Sequence, residues 1–399
     1  MNVFIAILGL AFLILVHEAG HFLTARAVGM RPRRFYIGFP PALVKTRRKG
    51  IEYGVGVIPL GGYVKIPGMH RLSPSDADMY FGRTLRQAPE LIGPTQRLKR
   101  ALAAEDEEAA RAALTELEEL AGNNPPEGFE RGVQEIIDGL SPEAYWRQRT
   151  WKRVAVILAG PATNLVLAVV LFAVLFVAGG GKATSTVDSV LPGHPAAAIG
   201  LRPGDEVVAV NRVRVTPTDI ATRISESHGH PVTLLVHRGV RLVTLGPVRP
   251  RITDGAYRLG FILRGEHLGV GESAWQSVKL TGVVTREIGK SLVRLAHGKG
   301  RKDIASPVGI VAGSRDALNQ GVQRYLWVLG LISLSLALLN LLPLLPLDGG
   351  HIAFSLVEGV RGRAVAREVY ERVSAVGIVL VVLLFFIGIS NDVSRLGGS

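Results

Sequence analysis

The sequence predicts a polytopic α-helical membrane protein of about four transmembrane helices, with a membrane-associated β-hairpin or sheet and an extracytoplasmic β-rich domain. Three observations carry this. Apolar residues gather into four stretches of spanning length, a strand pattern follows the first stretch, and a Gly-rich turn opens a β run between the second and third. The 399 residues are 48% hydrophobic, and that excess is concentrated in the four stretches, as membrane spans require and one large soluble core does not. Lys+Arg outnumber Asp+Glu by 46 to 33, a formal net charge of +13. With apolar spans present, such a balance is read against a membrane surface and its lipid, not against nucleic acid. Cysteine is absent, which excludes disulfides, a thiol nucleophile and a thiolate metal site.

The first span is expected within residues 1–28. It lacks a basic start and a small-residue cleavage site, so it is expected to be retained and not removed as a signal. Residues 29–70 form the membrane-associated β region, with strands at 33–39, 42–46, 51–58 and 62–66 and a hairpin turn at Lys49-Gly50. Residues 71–150 read as a mostly helical cytoplasmic insert whose charged, Ala-rich stretch at 97–120 predicts one amphipathic helix. The second span is expected at 151–179 and the β-rich domain at 180–265. An amphipathic juxtamembrane region follows at 266–324, with Trp275 as an interface anchor. The third span is expected at 325–352, a cytoplasmic loop at 353–372 and the fourth span at 373–390. Arg26, Arg31, Arg33, Arg34, Lys45 and Arg47 follow the first span, Lys152 and Arg153 precede the second, and Arg361, Arg363, Arg367 and Arg372 join the third to the fourth. Basic loops face the cytoplasm, which puts both termini outside.

The sharpest chemical signal is His17-Glu18-Ala19-Gly20-His21 inside the first apolar stretch. Residues four apart share a helix face, so both imidazoles converge on one Zn2+, while Glu18 is placed to take a proton from the attacking water. Three ionisable side chains in an apolar helix cost about 2–3 kcal/mol each unless paired or solvated, which disfavours an incidental pattern. Catalytic zinc takes three protein ligands, so a third must come from elsewhere. Asp348 is the obvious candidate, at the end of the third apolar helix, which Pro343 and Pro346 break, and His351 competes with it.

These residues resemble a known family. The 17–21 motif, Pro59-Leu60-Gly61-Gly62-Tyr63-Val64-Lys65, Gly160-Pro161-Ala162-Thr163-Asn164 and Leu347-Asp348-Gly349-Gly350-His351 together are similar to the site-2 protease family of intramembrane zinc metalloproteases, nearest to its bacterial sigma-factor-activating branch. The resemblance covers most of the chain in order. It implies Zn2+ held by His17, His21 and Asp348, Glu18 as general base, and a role for Asn340 in holding the substrate backbone. It also implies a multi-pass protein of the inner (cytoplasmic) membrane. Its substrates would be single-span membrane proteins, such as anti-sigma factors or signal-peptide remnants, cut first outside by another protease. Residues 200–211 resemble the Gly-Leu-x-x-Gly-Asp run of bacterial PDZ domains, which makes the β-rich domain PDZ-like. Arg258-Leu259-Gly260-Phe261 resembles a carboxylate-binding loop, and residues 306–310 another family segment. The chain departs from the pattern in three places. Pro346 lies three after Pro343 where two is usual, the 71–150 insert is long, and one PDZ-like domain stands where some relatives have two.

A membrane helix must be unwound before its carbonyls can be attacked, and an extended substrate can pair with an exposed strand edge. Residues 51–58 are the expected edge, with Gly54 and Gly56 flanking Val55 and permitting close approach. Two other classes fit parts of the sequence: a membrane scaffold with a structural metal site, and an exported soluble zinc protease anchored by its first helix. A peptidase assay separates the first, and detergent dependence the second.

Overall fold

Backbone polar groups in hydrocarbon must be satisfied within their own segment, so an apolar run of spanning length folds as helix. The computed structural model describes residues 1–180, 182–253, 256–301, 304–365 and 367–397. Among them, four helices are long and apolar enough to cross a membrane: Asn2–Ala27, Thr150–Ala178, Val322–Asn340 and Glu368–Ser394. They coincide with the four stretches expected from sequence. The chain divides into two units, one of residues 1–168, 284–320 and 331–399, the other of 169–283 and 321–330.

In the first unit the third span ends earlier than expected. Its helix stops at Asn340, and Asp348 opens a separate helix, Asp348–Arg361, instead of closing the span. Pro343 and Pro346 have no N–H to continue a helical ladder, so 341–347 turns. A Cβ on Gly349 would meet the Leu341 and Leu342 carbonyls, and one on Gly350 would meet Leu345 N at 2.6 Å. Glycine at both positions lets the turn fold back onto the helix start.

The β region also differs from expectation. In place of four short strands there are two long ones, β1 (Arg34–Arg48) and β2 (Ile51–Lys65), joined at Lys49-Gly50, where both φ angles are positive as a two-residue hairpin turn requires. Each strand is used twice. Residues 34–37 pair with 62–65 on one side and with 52–55 on the other, and 52–55 pairs again with 44–47. Residues 62–65 therefore pair on one side only, with 34–37.

The expected single helix at 97–120 is two, Ile92–Ala103 and Glu107–Ala121. Asp106 breaks it by capping the second helix: its side chain accepts the Ala109 N–H at 3.0 Å. With Pro74–Phe81 and Phe129–Leu140 these helices enclose a core that includes Phe81, Leu91, Leu98, Leu114, Leu117, Phe129 and Ile136. This insert is tied to the foot of the β region. Arg33 grips the buried Asp138 through Nη2 at 2.7 Å and Nε at 3.1 Å, and Lys65 pairs with Glu135. Helix Pro307–Asn319 packs on the first span, and the buried Asp392 caps it by accepting the Ser306 and Gly309 N–H groups at 2.8 and 3.1 Å.

The second unit is β-rich. Strands β3 (Lys182–Val190), β4 (Glu206–Val210), β5 (Val213–Arg214), β6 (Val232–Arg238), β7 (Arg241–Val248) and β10 (Phe261–Glu266) form one sheet in the order β10-β3-β4-β6-β7, with β5 on β4. Strands β8 (Arg251–Thr253) and β9 (Ala256–Arg258) make a separate hairpin. Val187, Val207, Val210, Ile220, Val232, Leu234 and Val236 form the core. Asp205 stands at the entry to β4, where Arg238 clasps it at 2.8 and 2.7 Å and the Arg202 N–H donates to it at 2.9 Å. The Arg238 hydrogen bonds, outweighing burial, hold the Asp205 carboxyl below its usual range. A depressed pKa stabilises the fold above the ordinary aspartate range, and that stability is lost as pH falls through the lowered value. Asp205→Asn is expected to lower the thermal midpoint of the detergent-solubilised chain at neutral pH, with the gap from wild type closing on acidification. A gap unchanged down to acid pH would show that the ion pair contributes nothing.

Candidate metal centre

The first span carries His17 and His21 one turn apart, both 7% exposed, with Nε2 atoms 3.3 Å from each other. The Asp348 carboxylate, brought over by the turn after Asn340, places Oδ2 3.1 Å from His17 Nε2 and 3.4 Å from His21 Nε2. That buried Oδ2 has no hydrogen-bond partner. Three such atoms converging on one point can offer their lone pairs to a cation placed among them. Donors at 2.0–2.1 Å from a tetrahedral metal stand about 3.3 Å apart, which the three distances match. Two imidazoles and one carboxylate are a catalytic zinc set with a fourth position open. His351, which competed with Asp348 from sequence, bonds Tyr370 through Nδ1 and stands outside this group.

Helix packing holds the imidazoles. His21 Nδ1 donates to the Val156 carbonyl at 2.8 Å, which puts the proton on Nδ1 and leaves the Nε2 lone pair for a metal. Gly160 lies under the same ring, and a Cβ there would meet His21 Cδ2 at 2.8 Å and Nε2 more closely. A Cβ on Gly20 would meet Thr163 Oγ1 at 2.7 Å, while Thr163 Oγ1 lies 3.1 Å from the Val16 carbonyl. The segment 160–164 is thus where the second span meets the metal helix. Its role was missed from sequence, although Gly160 and Asn164 repeat the four-residue spacing of His17 and His21 and so share a face.

Glu18 is 8% exposed and accepts a hydrogen bond from the Val64 backbone N–H. A Cβ on Gly62 would meet Glu18 Cγ and the Tyr36 carbonyl, each at 2.7 Å. The one-sided strand 62–65 therefore runs directly against Glu18. The expectation that 51–58 offers the edge is corrected for 52–55, which is paired on both sides. Gly54 pairs with both Tyr36 and Lys45, Val55 pairs with both Ile37 and Val44, and Gly56 pairs with Ala42. Gly54 is small because the Tyr36 ring lies over it, 2.6 Å from where a Cβ would be. Asn340 is the half-buried last residue of the third span's helix.

A His-Glu-x-x-His helix joined by a distant aspartate, among helices of spanning length, defines the class of membrane zinc metallopeptidases. The chain belongs to peptidase family M50, the site-2 proteases, which it matches over residues 5–384. It is 31% identical to zinc metalloprotease Rip1 of Mycobacterium tuberculosis, covering 90% of this chain and 86% of that one. It is 29% identical to zinc metalloprotease RasP of Geobacillus kaustophilus over 96% and 95% of the two chains. A Brucella suis protein described as a candidate zinc metalloprotease is 30% identical over 96% and 92%.

Proposed function

We propose that this zinc metallopeptidase hydrolyses peptide bonds within or beside the transmembrane segments of single-span membrane proteins, after a first cut outside. Anti-sigma-factor-like proteins and signal-peptide remnants have the required form. The observation that carries the reading is the strand 62–65 lying against Glu18 on a spanning helix, beside the three metal donors. A substrate segment added to that strand is held extended, which exposes the carbonyl that its own helix would shield. His17, His21 and Asp348 hold the zinc, which supplies a Lewis acid for the scissile carbonyl and lowers the pKa of water. Glu18 takes the proton from the attacking water and returns it to the leaving amine. Asn340, whose amide can donate, holds the substrate backbone or the developing oxyanion.

The second unit is read as a PDZ-like domain on the outer side of an inner membrane, with both termini outside. Residues 200–211 supply its turn, Asp205 and the core strand β4, and β10 is an outermost strand entered through Arg258-Leu259-Gly260-Phe261. It filters substrates by size or binds the trimmed end.

The test is cleavage of a single-span substrate, intact and trimmed outside, in proteoliposomes, with the products identified by mass. Cleavage of the trimmed form within its span supports the reading. A zinc-loaded protein that cuts neither form would favour a scaffold. Because the chain has no cysteine, the pairing edge can be mapped in a cleavage-dead background. Tyr63→Cys is expected to form a disulfide with a substrate cysteine near the cut, and Val55→Cys is not. The opposite pattern would return the edge to 51–58.

A further inference from the structure

Asn164 is fully buried in the second span, and only one end of its amide has a partner. Nδ2 lies 3.3 Å from His17 Nδ1, while Oδ1 is buried with no hydrogen bond. Its backbone carbonyl accepts from Ser333 Oγ at 2.8 Å, so the residue is held from the third span as well. Native structures rarely leave a buried amide oxygen unpaired, and each such case calls for a physical explanation.

His17 explains the orphan. If its Nε2 faces the metal, the single proton of the neutral ring sits on Nδ1, which is then a donor. That donor then faces another donor, the amide NH2, while the oxygen of the same amide has no partner. The two ends are nearly equal in size, so a half-turn of the amide turns its oxygen to the His17 Nδ1–H and gives that donor its acceptor.

The geometry points to Asn164 as a positioning residue: with zinc bound, its amide oxygen accepts the His17 Nδ1–H and holds Nε2 toward His21 and Asp348. Val156 does this for His21 with a backbone carbonyl, and Asn164 does it for His17 with a side chain. The two imidazoles thus take their orientation from one helix. The assignment rests on the zinc reading of the site, and it concerns the metal-holding state and not the substrate.

The experiment is zinc affinity of the full chain in detergent, stripped and reloaded against a chromophoric chelator, with the visible spectrum of the cobalt form as a second readout. Asn164→Leu has similar size and no polar atom. It is expected to weaken zinc about 10- to 100-fold and to perturb the cobalt bands, as loss of an outer hydrogen bond to a ligand does. Asn164→Asp accepts and does not donate. It is expected to bind zinc within about threefold of wild type, or more tightly. Equal losses in the two variants would overturn the assignment, because the amide would then act as a donor or as packing. Full affinity in Asn164→Leu would overturn it as well. Should Asn164→Leu not fold, Asn164→Asp decides alone: retained zinc supports the assignment and lost zinc refutes it. Wild type that binds no zinc would overturn the zinc reading itself, whereas wild-type binding with an unaffected leucine variant removes only Asn164.

Discussion

Glu18→Gln is expected to lower hydrolysis of a trimmed single-span substrate by about 10²–10⁴-fold, the usual contribution of a general base, while zinc stays near one per chain. The substitution keeps the shape of the side chain and an oxygen for the Val64 N–H that now donates to the carboxylate. It removes only the capacity to take a proton from water. None of the three donors converging on the metal position belongs to Glu18, so the metal has no reason to leave. Initial rates and metal content measured on the same preparations check the prediction. A variant within tenfold of wild type would remove Glu18 from the chemistry. Loss of zinc along with activity would make it part of the metal's support.

The second large effect is expected at a residue with no reactive group of its own. Gly160→Ala adds one methyl group beneath the His21 imidazole, where the ring leaves no room for it. The ring must then leave its place, and with it go the Val156 hydrogen bond and the 3.3 Å separation from His17. Loss of a first ligand's position exceeds the 10- to 100-fold typical of an outer contact, so zinc affinity is expected to fall by at least about 100-fold. Activity should fall with it and return in part at high zinc. Chelator competition measures the first and a zinc titration of cleavage the second. Unchanged affinity would show that the His21 ring does not need this exact place to hold the metal.

Parts of this architecture were legible in the sequence for simple reasons. Spanning length is written in apolar composition, and the 17–21 motif is written in helical spacing, so the four spans and the two imidazoles followed directly. Asp348 was found as a residue but assigned to the wrong element, because the two prolines that end the third span also free 341–347 to turn and start a new helix. The double pairing of 52–55 was missed for a different reason. Residues 51–58 and 62–66 both alternate, and only the double use of β1 leaves 62–65 with an open side. Nothing local distinguishes a strand paired twice from one paired once. Asn164 and Gly160 stood out in a motif, but the role of such residues depends on what faces them across a helix interface, which one helix's sequence does not contain.

The seam between the first two spans has a consequence for how a substrate arrives. Gly20 and Gly160 bring the two backbones together, and Thr163 reaches across to the Val16 carbonyl. Prising this seam apart by even an ångström or two would break that bridge and pull Val156 and Asn164 away from the imidazoles. A helix about 10 Å across, or a strand needing about 5 Å beside its neighbour, cannot be let in there without dismantling the centre it is meant to reach. The two helices therefore make one closed wall of the centre, held shut by the same contacts that orient the imidazoles.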